Sequence, residues 1–249
     1  MYAETEGIVL KQIKISGGRR MLVIFTKRYG KISAGTYISE KGKSRAALAL
    51  RPFTYGRYQI KKTGDNYHVN GCETIASHYS IGEDIDKFLC ASYGMEFTDK
   101  LLPEEAPATK LFSLLKEFLS LMEKRTKKYD TLLVAYLLKA LALNGNSPQL
   151  DACVLCGAGE SLTGFSVENG GVVCESCRSL ADGNGQLIYK AGFDIVGVIK
   201  FLTQRSLSHL ENLALDDSIL EWIKRVLRNY IEYHLDISSL KTEEFLDCR

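Results

Sequence analysis

The first third of the chain alternates apolar and polar residues with a period of two, a pattern typical of strands that bury one face. Turn-forming stretches separate the alternating runs, for example at residues 16–18 and 63–66. The predicted strands cover residues 5–15, 21–26, 31–38, 53–62 and 67–76, and Gly35 indicates a bulge or bend in the third. Five short strands leave no long edge exposed when they close into a barrel. We therefore predict an OB-fold β-barrel with a helix or long loop between its third and fourth strands.

The spacing of apolar residues changes to a helical period after Ser80. Ser80 and Glu83 fit a capping box, in which a serine and a glutamate satisfy the free amides of a helix start. Helical spacing continues from Ile85 and is interrupted at residues 103–107. The later predicted helices cover residues 111–122, 129–143, 193–202 and 219–235, and the helix at 129–143 is apolar nearly all round, which indicates a central position. The fold class is therefore multi-domain β + α, with an OB-fold domain at residues 1–79 and an α-helical domain at residues 80–249.

Four of the seven cysteines form two Cys-x-x-Cys pairs, Cys153 with Cys156 and Cys174 with Cys177, separated by seventeen residues that resemble a short hairpin. Two such pairs can present four thiolates tetrahedrally, the arrangement that Zn²⁺ takes in structural sites. A redox pair, buried free thiols and a disulfide are weaker alternatives, and four cysteine ligands leave no open position for a catalytic metal. We predict one structural zinc per chain, held in an insert at residues 150–180 that has too little core to fold unaided.

Composition excludes two broad classes of protein. Of the 249 residues, 45% are hydrophobic and 25% are charged, which is typical of a globular chain and not of a disordered one. The longest apolar stretch, residues 132–138, is far shorter than the ~18 residues that a membrane-spanning helix needs. The first twenty residues contain no signal-peptide core, so we expect a cytoplasmic protein with no membrane partner.

The formal net charge of +2 conceals a strong asymmetry along the chain. Residues 1–80 hold fourteen Lys and Arg against five Asp and Glu, a net charge of +9, whereas residues 81–249 hold eighteen against twenty-five, a net charge of −7. Segregation of this kind indicates two domains with different partners. The basic half is the candidate for a polyanion-binding surface, with a solvated basic face that binds nothing as the alternative.

The cations of the predicted barrel cluster beside its strands and turns. The second and third strands of an OB-fold, with the neighbouring loops, are the face that binds nucleic acid. Tyr29 and Tyr37 offer rings on which bases could stack. The predicted DNA-binding residues are Lys11, Lys14, Arg19, Arg20, Lys27, Arg28, Lys31, Lys41, Lys43, Arg45 and Arg51.

No motif argues for an enzyme. Lys41-Gly42-Lys43-Ser44 contains the end of a phosphate-binding loop, but Tyr37 occupies the position of the glycine that this loop requires. The four histidines stand apart in the sequence, and no glycine-rich dinucleotide fingerprint is present. We therefore expect no catalytic residues.

Several of these segments together resemble the RecO family of bacterial recombination mediators. The Cys-x-x-Cys pairs between helical segments, and the ending from Arg228 to Leu246, are similar to those of many family members. The remaining matches are Gly7-Ile8-Val9-Leu10, Phe25-Thr26 with Tyr29-Gly30-Lys31, Gly42-Lys43-Ser44-Arg45 and Leu50-Arg51-Pro52-Phe53.

The resemblance implies a non-enzymatic, nucleoid-associated protein that binds single- and double-stranded DNA and anneals complementary strands. It also implies that the protein acts with RecR to load RecA on strands coated by single-stranded DNA-binding protein. The acidic, hydrophobic C-terminal tail of that last partner would need an apolar groove rimmed by cations. The candidate for such a groove is the cluster Lys124, Arg125, Lys127 and Lys128 beside Leu121 and Met122, with a charged, solvated helix end as the alternative. The alternative is a zinc-stabilised protein-interaction scaffold whose barrel docks a partner such as RecR, with DNA contact incidental.

Overall fold

A computed structural model describes residues 2–15, 20–38, 45–181, 187–238 and 240–242. The chain divides into two compact units, residues 1–125 together with 241–249, and residues 126–240. The predicted domain boundary between residues 79 and 80 lies inside the first unit and stays a prediction. Within the described ranges, no helix has both the length and the apolar character needed to cross a bilayer.

Five strands of the first unit close into a barrel, as the period-two pattern predicts. They are β1 (Tyr2–Lys14), β2 (Arg20–Thr26), β3 (Gly30–Thr36), β4 (Tyr55–Thr63) and β5 (Asn66–Ala76). The order around the barrel is β1-β2-β3-β5-β4, and all neighbours are antiparallel except the parallel pair β3–β5. The barrel is OB-like, so the predicted fold class is confirmed.

Alternate side chains of the strands fill the interior of the barrel. A short helix, α1 (Arg45–Leu48), occupies the connection between β3 and β4 where a helix or loop was expected. Ala49 and Leu50, which follow it, join the barrel core. The buried Tyr58 hydroxyl donates a 2.7 Å hydrogen bond to the carbonyl of Ala49, which satisfies the polar end of that ring. The strand residues of this core are Val9, Leu22, Ile24, Ile32, Ala34, Tyr58, Ile60, Tyr67 and Val69.

The bulge expected at Gly35 is absent from the described pairing of β3. This strand pairs with β2 in unbroken register, and the irregularities lie between Val9 and Lys11 of β1 and within the β4–β5 pair. A Cβ atom at Gly35 would lie 3.7 Å from His68 Nδ1, an ordinary contact. The glycine therefore leaves an open space on the barrel surface and does not mark a bulge.

Two helices complete the first unit, α2 (Ile85–Leu101) and α3 (Thr109–Lys124), with the predicted break between them. The capping box predicted at Ser80 is wrong. Residues Tyr79–Glu83 form a 3₁₀ turn, and the side chain of Asp84 caps α2 by accepting hydrogen bonds from the amides of Asp86 and Lys87. The Ser80 hydroxyl instead donates to Glu123 Oε1 at 2.9 Å.

The second unit combines helices with a small sheet. Helix α4 (Tyr129–Leu143) is buried on nearly all sides, as its composition predicts, and Asn144 is its C-cap. Strands β6 (Leu162–Ser166) and β7 (Gly171–Cys174) form the hairpin expected between the cysteine pairs, and β8 (Ile188–Lys190) completes a sheet of order β7-β6-β8. The remaining elements are α5 (Glu175–Ala181), α6 (Ile195–Gln204), a 3₁₀ turn (Ser208–Leu210) and α7 (Asp217–Leu235).

Candidate nucleic-acid interface and metal centre

Predicted DNA-binding cations that the structure describes lie at two opposite ends of the barrel. β1 leads into β2 at the end where Lys14 pairs with Arg20, which we call the hairpin end. Lys11 lies on β1 near this end. Lys27 and Arg28 lie in the turn after β2, about 20 Å away along a seven-residue strand. The structure therefore brings only part of the predicted set together.

Several cations of the hairpin end are open to solvent. Lys11 and Lys14 are exposed and make no ion pair with another described residue. Arg20 Nη1 donates to Gln12 Oε1 at 3.2 Å, and Gln12 Nε2 donates to the carbonyl of Leu50 at 3.2 Å. The second bond places the segment that contains the exposed Arg51 beside the same stretch of β1.

The cations of the opposite end have partners within the first unit. Lys27 Nζ lies 3.7 Å from Glu6 Oε2, and the Arg28 guanidinium lies 5.3 Å from the centroid of the Tyr29 ring. Tyr29 is half-buried and packs against the barrel core. Of the two tyrosines predicted to stack on bases, Tyr37 is the more open, with 77% of its surface exposed.

Lys31 is held by acidic groups of the helices in its own unit. Its Nζ donates to the carbonyl of Asp99 at 2.6 Å and lies 3.4 Å from Asp99 Oδ1 and 3.5 Å from Glu104 Oε1. Its side chain is only 12% exposed. A phosphate at this position would have to compete with two carboxylates, which disfavours Lys31 as a phosphate contact.

Four predicted DNA-binding residues have no described side chain. Arg19, Lys41 and Lys43 lie outside the described residues, as does the whole Lys41-Gly42-Lys43-Ser44 motif. Arg45 begins α1, and only its backbone is described. For these residues the prediction continues to rest on the sequence.

A recess of about 330 Å³ opens on the outer face of the barrel where β3 meets β5. Gly35 and His68 are paired across the two strands, and Tyr37 and Asn70 lie two residues further along. Alternate residues of a strand point to opposite faces, and the residues between these four are buried in the barrel, so the four face outward. No hydrogen bond from another described residue engages the side chain of Tyr37, His68 or Asn70.

A second cavity, of about 470 Å³, lies between the barrel and α3 within the first unit. Its apolar lining includes Ile75, Phe112 and Leu121, and Lys27 and Lys116 lie among its polar side chains. We call it the α3 groove.

Two residues of the cation cluster predicted at the end of α3 are buried. Met122 is fully buried, and Arg125 is only 8% exposed. Lys128 Nζ lies 2.5 Å from Asp217 Oδ1. Leu121 instead lines the α3 groove.

The four cysteines predicted to bind metal come together in the second unit. The Sγ atoms of Cys153, Cys156, Cys174 and Cys177 all lie within 4.8 Å of one another, and those of Cys156 and Cys174 are 3.7 Å apart. A tetrahedron with metal–sulfur bonds of ~2.3 Å has edges of roughly 3.8 Å, so this spacing fits a four-coordinate metal. The turn after Cys153 is closed by the Gly157 amide, which donates to the carbonyl of Cys153 at 2.8 Å.

The surroundings of Cys153 favour a thiolate. Burial raises the pKa of this thiol, but hydrogen bonds from the backbone at Cys174, Leu155 and Cys156 outweigh it and hold the pKa at about 6. The thiolate is the form that binds metals. Cys156 and burial have the opposite effect on Cys177, and raise its pKa to about 12. Four adjacent thiols cannot all ionise without a cation, so the cluster is arranged to hold a metal.

Comparison with protein families assigns both parts of the chain. Residues 1–78 match the model of the Recombination protein O N-terminal domain, and residues 82–244 match that of the Recombination protein O C-terminal domain. The chain belongs to the RecO family. The first match covers the barrel, and the second covers the helices and the four cysteines, so the family resemblance inferred from the sequence motifs is confirmed.

Individual RecO relatives match nearly the whole chain. A protein of Thermoanaerobacter sp. (strain X514) named DNA repair protein RecO is 32% identical over 98% of this chain and 96% of its own length. A protein of the same name from Alkaliphilus metalliredigens (strain QYMF) is 32% identical over 95% of both chains. A third, from Caldanaerobacter subterraneus subsp. tengcongensis, is 30% identical over 98% of this chain and 97% of its own.

Only part of the recess beside Tyr37 could be predicted from the sequence of this RecO-family chain. The alternation of β5 places His68 and Asn70 on one face, and Tyr37 follows a strand of the expected binding face. The sequence does not reveal that β3 and β5 pair in parallel, which is what brings Gly35 beside His68. The feature of the sequence that could have indicated this site is the pair of polar residues His68 and Asn70 at alternate positions of the fifth strand.

Proposed function

We propose that this RecO-family protein is a non-enzymatic DNA-binding recombination mediator in DNA repair. It binds single- and double-stranded DNA, anneals complementary strands and helps to load RecA on strands coated by single-stranded DNA-binding protein. The observation that carries the proposal is the group of exposed cations at the hairpin end of an OB-like barrel, in a chain whose relatives are named DNA repair proteins.

The proposed contacts are with the phosphate backbone. Lys11, Lys14, Arg20 and Arg51 would neutralise phosphates and release condensed counterions, a contribution to affinity that does not depend on sequence. Contacts of this kind leave most base edges free to pair with a second strand, which annealing requires. Arg19, Lys41, Lys43 and Arg45 are proposed as further phosphate contacts from the sequence.

We also propose that the four cysteines hold one Zn²⁺. Four sulfur ligands in a closed set are typical of structural zinc, and the ion would supply folding free energy to the segment around the β6–β7 hairpin. No position is left for a substrate, so the zinc would have no catalytic role.

The salt dependence of DNA binding tests the proposed interface. We expect the affinity for labelled single-stranded DNA to fall linearly on a log–log plot against salt concentration. Replacing Lys11, Lys14 and Arg51 by Gln should make the slope less negative by about 2, since each phosphate contact contributes about 0.7 for single strands. The matched control replaces Lys100 and Lys110, which are exposed lysines of the same unit, and should leave the slope unchanged.

Two results would contradict this interface. A slope near zero for the unmodified protein would remove the phosphate contacts altogether, and an unchanged slope in the triple variant would place them elsewhere. Annealing of strands coated by single-stranded DNA-binding protein then distinguishes a mediator from a scaffold, because only a mediator loses annealing in parallel with DNA affinity.

The α3 groove supports partner binding as a second function. An apolar cavity with Lys116 beside it suits the acidic, hydrophobic C-terminal tail of single-stranded DNA-binding protein, the partner implied by the family resemblance. Fluorescence anisotropy with a labelled tail peptide should show weaker binding to Lys116→Glu and unchanged binding to the control Lys110→Glu. Equal affinities for the two variants would exclude the groove as the tail site. RecR is proposed as a partner from the family resemblance.

A further inference from the structure

We propose that the recess between β3 and β5 binds one nucleobase of single-stranded DNA, stacked on Tyr37 with its edge toward His68 and Asn70. The inference rests on the proposed function, because it requires that a strand reach the hairpin end. It adds a site for the base to an interface otherwise made of phosphate contacts.

The recess offers the two kinds of contact that a nucleobase needs. The Tyr37 ring, 77% exposed, is a flat apolar surface, and base–aromatic stacking tolerates any base. The Asn70 amide has both donors and an acceptor, and a neutral His68 ring has one of each. Within the described residues these groups have no hydrogen-bond partner, so a base edge would not have to displace one.

The absence of a side chain at Gly35 keeps the recess open. Gly35 lies on the outer face, between β2 on one side and β5 on the other, directly paired with Met21 and His68. Any larger side chain would point into the space beside His68 Nδ1, because the Cβ alone would already lie 3.7 Å from it. The recess is thus a gap one side chain wide in the outer face.

The position of the recess suits a strand whose phosphates lie on the hairpin end. Ser33, two residues before Gly35 and on the same outer face, pairs with Val23, which in turn pairs with Lys11. Neighbouring strands are about 5 Å apart, so this cation lies two strands away from β3 on the face that holds the recess. Next to Met21 on β1 is Ile13, 42% exposed, which extends the apolar surface beside Tyr37.

DNA strands that lack bases distinguish the contribution of stacking to affinity from the contribution of phosphate contacts. We expect Tyr37→Ala to weaken binding of an oligothymidine strand about 5- to 150-fold, the equivalent of ~1–3 kcal/mol for one stacked base. Binding of an abasic strand of the same length should not change, and neither should the salt slope for either strand. Tyr37→Phe should bind as the unmodified protein does, and Tyr79→Ala, which removes another exposed tyrosine of the first unit, is the matched control.

Filling the recess provides a second, independent variant. Gly35→Val retains Tyr37, and valine accepts the strand conformation at this position. The variant should lower the affinity for oligothymidine to the same degree as Tyr37→Ala. Circular dichroism and thermal unfolding establish that both variants are folded.

The outcomes that overturn the inference differ from those that overturn the proposed function. Full affinity of Tyr37→Ala for oligothymidine, or an equal loss on the abasic strand, would show that Tyr37 does not hold a base. Full affinity of Gly35→Val would place the stacked base outside the recess. If the unmodified protein binds neither strand at any salt concentration, the proposed function fails, and the inference fails with it.

Discussion

Gly30 and Gly64 both have positive φ, but their surroundings differ. At Gly30, φ is +70°, and a Cβ would lie 2.2 Å from the carbonyl oxygen of Ala106, a backbone atom that has little freedom to move. At Gly64, φ is +59°, and no described atom lies within 4 Å of the Cβ position. The two glycines therefore separate the effect of backbone conformation from that of close packing.

We expect Gly30→Ala to lower the free energy of unfolding by about 3 kcal/mol or more, because left-handed strain and a backbone clash add together. Gly64→Ala should cost about 1 kcal/mol from strain alone. Urea unfolding of the two variants provides the comparison. Equal losses would mean that the segment around Ala106 can move away without cost.

Glu123 makes stability depend on pH through its contacts within the first unit. His78 Nδ1 lies 2.8 Å from Glu123 Oε2, and the Ser80 hydroxyl donates to Oε1. Burial alone would raise the pKa of this carboxyl, but the hydrogen bonds from His78 and Ser80 outweigh it and hold the pKa below its usual value. A carboxyl with a lowered pKa stabilises the folded state above its unfolded pKa of about 4.3, and this contribution is lost as pH falls through the lower folded value.

We expect Glu123→Gln to be less stable than the unmodified protein by roughly 1 kcal/mol at neutral pH, since the carboxylate is partly exposed and its hydrogen bonds are partly screened. The difference should shrink as the pH falls below about 4. Free energies of unfolding between pH 3 and pH 8 provide the measurement, with the exposed Glu83→Gln as the control. A difference that is constant across this range would assign the loss to something other than ionisation.

At the scale of elements, strands and helices followed from local pattern. Period-two alternation placed all five barrel strands to within a few residues, because each strand has one face in the core. The mostly apolar composition of α4 correctly indicated burial on nearly all sides. The start of α2 was wrong because two residues, Ser80 and Asp84, can each cap a helix, and only the contact with Glu123 decides between them.

Contacts between elements account for what the sequence could not predict. Lys31 was assigned to DNA with the other cations, but the parallel bridge between Lys31 and Glu104 brings it beside two acids that are more than sixty residues away in the chain. The pairing of β3 with β5, which forms the recess, is equally non-local. By contrast, the cluster of four cysteines was predicted in full, because the spacing of each Cys-x-x-Cys pair already fixes half of it.

The metal centre should hold the sheet of the second unit together. The cluster around Cys153, Cys174 and Val173 is small, and Val154, Leu162 and Ile188 pack against it, so little apolar burial remains without a metal. We expect one Zn²⁺ per chain by elemental analysis, and Cys156→Ser should lose it together with the slow amide exchange of the β6–β7 hairpin. Cys72→Ser, which alters a cysteine of the barrel, should retain the metal. Protein purified without chelators that contains no metal would contradict the prediction.

At the scale of the whole molecule, charge separates the two compact units less sharply than it separates the first eighty residues from the rest. The first unit holds 22 Lys and Arg against 17 Asp and Glu, a net charge of +5, because acids of α2, α3 and the segment between them join the basic barrel. The second unit holds 10 against 13, a net charge of −3. Opposite net charges predict that a polyanion is held by the first unit.

Metal removal tests whether DNA is held by the first unit alone. Chelation, or Cys156→Ser, would remove the proposed ion from the acidic unit, and the residues that form the barrel core all belong to the other unit. We therefore expect the metal-free protein to lose helical and sheet signal from residues 126–240 while its salt slope for single-stranded DNA stays the same. The slope is the appropriate measurement because it counts phosphate contacts even if affinity changes for other reasons. If metal removal makes the slope less negative by the equivalent of one phosphate contact or more, the second unit also holds DNA. The DNA strand would then have to follow a local group of basic residues on that acidic unit.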